Sequence, residues 1–222
     1  MPVSHKHKVI FVHVPKCAGT SIEYLLDIND IRDFFTMGRL EERRQIIPID
    51  KFTTEEYEIC LNKNMQHYTY RELSKILSPY IMSSHKIISV VRNPYTRLVS
   101  EFYFLNSLPK YAKNKITFED LVTQKLQLDR VARNKEFDGH LETQTSFLIN
   151  DSGNFNSIDK IYKFENLKEC LNDISTLTGN TSYPHLRASK TIKPYEEHYT
   201  PELREIVYNF YKEDFINFEY IS

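Results

Sequence analysis

Residues 8–26 read KVIFVHVPKCAGTSIEYLL. The apolar run from Val9 to Val14 reads as a strand. It ends at Pro15-Lys16, and a turn of small residues follows, Cys17-Ala18-Gly19-Thr20-Ser21. An apolar pattern with helical spacing opens at Ile22. The order predicted is strand, tight basic turn, helix. Such a turn aims peptide N–H groups and the positive end of a helix dipole at one point, which suits a phosphate or sulfate. Lys16 adds a full positive charge, and Thr20 and Ser21 add hydroxyl donors. The turn is not a Walker A loop, whose lysine follows the second glycine of G-x-x-x-x-G-K-[ST]. Here Lys16 precedes Gly19, and no glycine stands upstream. The plainer alternative is an ordinary strand-to-helix turn with a surface lysine.

A second apolar run, Lys86–Val91, reads as a buried parallel strand. It continues into VVRNPYTRLVSEFYF at residues 90–104. Arg92 leaves the strand, Asn93-Pro94 turns the chain, and a helix from Tyr95 to about Asn106 carries Arg97 and Ser100. These two share a helix face. Lys16 and Arg92 both follow a predicted strand directly, so a parallel sheet brings them to one edge, where ligands of such sheets bind. Arg92 and Ser100 are placed to grip a second phosphate, the guanidinium fork matching its oxygens. The alternative is an arginine paired with an acid at the sheet edge.

Further elements follow from local signals. Thr53-Thr54-Glu55-Glu56 is a capped helix start. Residues 70–78 read as helical, closed by Pro79. Residues 117–126 and 140–149 are helix candidates, Lys160–Phe164 a third strand, and Asn166–Thr178 a helix stopped at Gly179. Thr200-Pro201 opens the last helix. Residues 28–50 read as loop with short helical pieces. Strands alternating with helices imply an α/β fold, a three-layer P-loop-like arrangement with a central parallel sheet flanked by helices.

The chain has 222 residues and is read as one domain, residues 1–222. Its content of 41% hydrophobic and 27% charged residues is that of a soluble globular protein. A net charge of −1 gives no global signal for nucleic acid or membrane, so any positive field is local. The three cysteines, Cys17, Cys60 and Cys170, are far apart and fit a reducing compartment. Cys17 lies in the anion turn but lacks the C-x5-R of a phosphatase nucleophile. The polar start MPVSHKHK and the lack of any run near the ~20 apolar residues of a membrane span give the expectation of a cytoplasmic chain without signal peptide or anchor.

The Pro-Lys-x-x-Gly-Thr-Ser turn and the Arg-x-Pro…Arg…Ser segment together resemble the sulfotransferase superfamily, whose donor is 3′-phosphoadenosine 5′-phosphosulfate (PAPS). The resemblance places Lys16, Cys17, Ala18, Gly19, Thr20 and Ser21 at the 5′-phosphosulfate, and Arg92 and Ser100 at the 3′-phosphate. Arg97 matches the family's second arginine there, with no assigned role. More of the chain is similar to the carbohydrate branch, which includes heparan 2-O-sulfotransferase and the chondroitin and HNK-1 enzymes. QHYTY at 66–70 resembles the branch's His-x-[Ser/Thr]-Tyr segment, which makes His67 the catalytic base. HLRASK at 185–190 resembles a late loop over the nucleotide, making Arg187, Ser189 and Lys190 cofactor candidates. His140, in GHLETQTSFL, resembles a segment near the acceptor and is a substrate-binding candidate. The resemblance runs from Lys8 to Tyr220, with 28–60 and 106–138 unmatched.

Of the eight histidines, His5 and His7 read as a frayed terminus, His13 as a residue that orients the loop, and His85 as structural. The implied reaction is in-line sulfuryl transfer to a hydroxyl of a polysaccharide or glycolipid, with His67 as base and Lys16 stabilising the developing charge. This chemistry requires no metal, and the sequence has no HExxH, paired CxxC or D-x-D-x-D-G loop. The rival readings are a nucleotide-dependent kinase, disfavoured by the misplaced lysine, and a binding module that has lost turnover. Arg39, Arg43 and Arg44, or Lys110, Lys113 and Lys115, are candidates for an acceptor groove. The oligomeric state is not legible.

Overall fold

The structure is a computed structural model that describes residues 3–28, 49–181 and 193–221. Its centre is a four-stranded sheet in the order β1 (Val3–Ser4), β2 (Val9–Val12), β3 (Lys86–Val91), β4 (Lys160–Lys163). β2, β3 and β4 are parallel, and β1 is an antiparallel edge strand. The register pairs Val12 with Ser89 and Val91 with Lys163, so the turns leaving these strands emerge on one edge. Helices flank this mostly parallel sheet, the α/β arrangement expected from the alternation of strand and helix signals.

Between β2 and β3 run α1 (Gly19–Leu25), α2 (Thr54–Asn62), α3 (Tyr70–Ile76) and α4 (Pro79–Ser84). Between β3 and β4 run α5 (Pro94–Ser107), α6 (Phe118–Asp120), α7 (Arg130–Phe137) and α8 (Gln144–Leu148). After β4 come α9 (Leu167–Thr178), α10 (Pro201–Phe210) and α11 (Lys212–Asn217). Capping explains most of the starts. Thr53 and Thr69 each form a capping box with the glutamate three residues on, and Thr200 accepts from Leu203 N. Gly179 ends α9 at φ 73°, a left-handed cap that glycine adopts without cost.

Several elements differ from the sequence reading. Pro79 does not merely close a helix; it sits at the first position of α4 behind an Ser78 cap. His5 and His7 do not fray. Val3 and Ser4 pair with Ile10 and Val9, His7 Nε2 meets Asp27 Oδ2 at 3.2 Å, and His5 packs edge-on against His85. The stretch 117–126 begins as α6 and continues as a π-helical turn, Leu121–Lys125. Within 140–149 only Gln144–Leu148 is helical, so His140 belongs to a turn. The end of the chain is two helices broken at Tyr211, not one.

Two apolar clusters form the interior. One surrounds the sheet and α1, with Phe11, Val12, Ile22, Val90 and Phe147 all buried. The other joins α5 to α10 and the π turn through Leu98, Leu121, Val207 and Tyr211. Between α2 and α3 one charged residue is almost fully enclosed: Lys63 is 1% exposed and its Nζ lies 2.7 Å from Glu72 Oε2. Its stem packs on Gly139, where an added Cβ would come within 2.9 Å of Lys63 Cδ. Removing one partner of a buried pair leaves the other charge unpaired. Lys63→Ala is expected to lose about 3–5 kcal/mol of stability in urea unfolding.

Candidate active site

The turn after β2 has an unusual backbone. Lys16 and Ala18 have φ of 68° and 66°, left-handed values that a non-glycine residue adopts only when the surroundings hold it there. Alternation of this kind turns successive peptide N–H groups toward one side and makes an anion-binding concavity. Gly19 has a different requirement. A Cβ there would lie 2.1 Å from His13 Nε2, so the imidazole occupies the space a side chain would need. His13 is itself fixed, its Nδ1 2.8 Å from Glu23 Oε1 on α1, and Gln66 donates to the other Glu23 oxygen. Burial works to raise the Glu23 carboxyl, but its bonds to His13 and Gln66 outweigh this and hold it below the ordinary range.

Cys17 packs inward, against the Pro15 carbonyl and Gln144. Its thiol is buried, 3.5 Å from Gln144 Oε1, and burial pushes its pKa up to about 12 against the pull of Arg97 and Arg92. It is a protonated packing thiol at neutral pH.

The two arginines take separate tasks. Arg92 Nη1 donates to the Lys16 carbonyl at 3.2 Å and its Nε to Thr96 Oγ1 at 2.9 Å, with the guanidinium stacked over Phe164. The two sequence segments therefore meet, as their places after parallel strands required. Arg97 is 2% exposed, and its guanidinium is taken up by backbone carbonyls. It donates to the carbonyls of Pro15 (3.1 Å), Glu142 (2.9 Å) and His140 (2.8 Å), and so ties the anion turn to the His140 turn. Ser100 lies on the same buried side of α5. Gln144 completes the seam: its side chain accepts from Arg92 N and donates to Arg92 O, while buried Asp214 accepts from Gln144 N and Thr145 N. Gln144 lies in the segment quoted for His140 but is given no role there, and Asp214 is flagged by no sequence motif.

Beside the turn stand three histidines in a row, each with its own carboxylate. His67 is the middle one, with ring centroids 5.2 Å from His13 and 4.7 Å from His140, both edge-on. Its Nδ1 lies 3.0 Å from Asp138 Oδ2 and 3.1 Å from the Asp138 carbonyl. Burial lowers the His67 pKa to about 4, with Asp138 opposing and the two neighbouring histidines reinforcing. Asp138 caps α7 at φ 54°, and Asn64 N donates to its other oxygen. His140 Nδ1 lies 2.7 Å from Glu101 Oε2, and its ring stacks on Phe104, over which Lys16 places its ammonium 4.1 Å from the ring centre. Burial raises the Glu101 carboxyl, and His140, Lys16 and Arg97 together bring it below its ordinary value. Among the described residues its Oε1 has no hydrogen-bond partner.

The structure thus brings together Lys16, Arg92, His67 and His140, four residues from four separate segments. Arg187, Ser189 and Lys190 lie outside the described residues, as do Arg39, Arg43 and Arg44. Lys110 lies within 3.8 Å of Glu136, and Lys113 and Lys115 are exposed. Glu23, Glu101 and Asp138 were missed by sequence reading; the one signal was Asp138-Gly139, a turn dipeptide beside His140.

A sequence model of the sulfotransferase family matches residues 1–221. The chain belongs to the sulfotransferase family, whose members transfer sulfuryl groups and generally use PAPS. No curated protein and no solved structure matches it. No described helix is long and apolar enough to cross a membrane.

The Gly19–His13 contact makes a defined claim. Gly19→Ala is expected to displace the imidazole or the turn and to cost about 1–3 kcal/mol, the usual range for overpacking, in denaturant unfolding.

Proposed function

We propose that this protein transfers the sulfuryl group of PAPS to a hydroxyl of a carbohydrate acceptor, a polysaccharide or glycolipid, with His67 as general base. The observation that carries the reading is the placement of His67. Its ring touches His13, which packs under the anion turn at Gly19, and His140, which stacks on the Phe104 ring beneath Lys16. The candidate base and the candidate sulfuryl-binding turn are therefore neighbours through both flanks. The family match over 1–221 supports reading residues 1–222 as one sulfotransferase domain.

The residues present fit the nucleotide. Lys16 and the left-handed turn offer a cation and convergent N–H groups for the 5′ end, and Arg92, anchored on Lys16 O, sets a guanidinium beside it for the 3′-phosphate, with Ser100 on the adjoining helix. PAPS bound there supplies the sulfuryl group and leaves 3′,5′-adenosine bisphosphate. Arg187, Ser189 and Lys190 are proposed to close over it.

Asp138 holds Nδ1 of His67 as the N–H side, which leaves Nε2 as the basic atom. Nε2 takes the acceptor proton as the hydroxyl oxygen attacks in line. The Lys16 ammonium and the turn N–H groups face the charge that grows on the sulfate oxygens, and being already oriented they need no reorganisation. His140 is placed to hold the acceptor beside His67. The sugar assignment rests on the similarity of residues 66–70 to the carbohydrate branch.

Calorimetry with 3′,5′-adenosine bisphosphate and with ATP tests the nucleotide. Tight binding of the bisphosphate alone is expected, and a preference for ATP would overturn the assignment. His67→Ala is expected to lose at least ~100-fold in rate while bisphosphate binding survives. Near-normal turnover of that variant would remove His67 from the reaction. Because burial disfavours the imidazolium, the base stays neutral as the pH falls through 6.5 and is protonated only near about 4. The acid limb of kcat/KM is accordingly expected well below the ordinary histidine range.

A further inference from the structure

His67, Asp138 and His140 can each offer one ligand atom, and these atoms all lie within 4.8 Å of one another. Two imidazoles and one carboxylate are the donor set of an open transition-metal site: three protein ligands with a fourth position left for a small molecule. His67 Nδ1 and Asp138 Oδ2 are 3.0 Å apart and share a hydrogen bond; with the His67 proton moved to Nε2, an opening of a few tenths of an ångström gives the roughly 3.3 Å spacing of two ligands on one tetrahedral ion with bonds near 2.0–2.1 Å. His140 is also oriented as metal-binding histidines are. Its Nδ1 is taken by the buried Glu101 carboxylate at 2.7 Å, which fixes the tautomer and leaves Nε2 for an ion. Asp138 is the most open of the three, 31% exposed at its side chain against 8% for His67 and 11% for His140, and marks the side from which an ion enters.

We propose that His67, Asp138 and His140 form a binding site for a divalent transition-metal ion, with zinc the best match, and that an ion there switches the enzyme off. Mixed imidazole and carboxylate donors favour zinc, nickel or copper over magnesium or calcium, which prefer all-oxygen sites. The inhibitory part rests on the reading of His67 as the base, and its logic is independent of which nitrogen the ion takes. A neutral imidazole has one basic nitrogen and one N–H. Coordination uses the lone pair, so the nitrogen left over carries a proton and cannot accept another. The ion does not have to block access; it removes the only site for the acceptor proton. The sequence gives no sign of this, because the donors come from the start of α3's approach and from the turn after α7 and fit no metal motif.

The test uses the full chain, stripped with EDTA and titrated with Zn²⁺ by calorimetry, with Co²⁺ absorption as a second readout. One ion per chain is expected, with the intense visible bands of low-coordinate cobalt. His140→Gln and Asp138→Asn are each expected to weaken that ion at least ~10-fold, and Glu101→Gln, one step removed, to weaken it by about 10–100-fold. His7→Gln, which alters the separate pair with Asp27, is expected to leave it in place. Bisphosphate binding by each variant establishes that it is folded. No saturable binding, or binding that both His140→Gln and Asp138→Asn leave unchanged, would overturn the site. Zn²⁺ is expected to abolish turnover and EDTA to restore it. Stoichiometric binding at these residues without loss of turnover would keep the site and instead overturn the role of His67.

Discussion

The guanidinium of Arg97 is the joint on which the site depends. Three carbonyl oxygens, from Pro15, His140 and Glu142, converge on one buried cation. Pro15 introduces the anion turn, and the other two belong to the turn that carries His140. Neither segment is regular structure, so neither has a ladder of its own to hold it. A planar fork with donors on fixed axes does this where a flexible ammonium would not. Sequence alone gives Arg97 no role of its own. Its surroundings here give it an architectural task.

The three histidines follow a consistent electrostatic plan. Each Nδ1 faces a carboxylate: Glu23, Asp138 or Glu101. Burial would raise all three carboxyls, and in each case the imidazole partner helps to bring the group down into the charged state. The imidazole in the middle, His67, pays the opposite way, its cationic form disfavoured by desolvation and by two like neighbours. The row thus sets two enclosed carboxylates, Glu23 and Glu101, at its ends and the more open Asp138 beside its central ring. Such an arrangement fixes tautomers without any one pair having to be strong.

Much of the fold was legible because its signals are local. The apolar runs of β2 and β3, the Thr53 box, the Thr200-Pro201 start and the Gly179 stop depend on residues within a few positions of one another. The meeting of Lys16 with Arg92 was legible too, since parallel strands dictate it. What escaped was non-local. The strand Val3–Ser4 is too short for any periodicity and exists because Val9 and Ile10 offer it an edge. Asp138, Glu101 and Asp214 look like solvated acids in sequence, and only packing shows that each is matched to a partner far along the chain. Lys63 likewise reads as a surface lysine and is enclosed.

The contact of His13 with Gly19 has a consequence for how such a protein can change over evolutionary time. The loop's shape is written partly in the residue that follows β2, His13, partly in α1, through Glu23, and partly in the segment before α3, through Gln66. Transplanting the seven residues from Pro15 to Ser21 into another α/β scaffold would carry the letters of the motif and not its conformation. The shape of this turn is inherited together with its supports, and because the His67 ring packs on His13, a change at His67 reaches the turn as well.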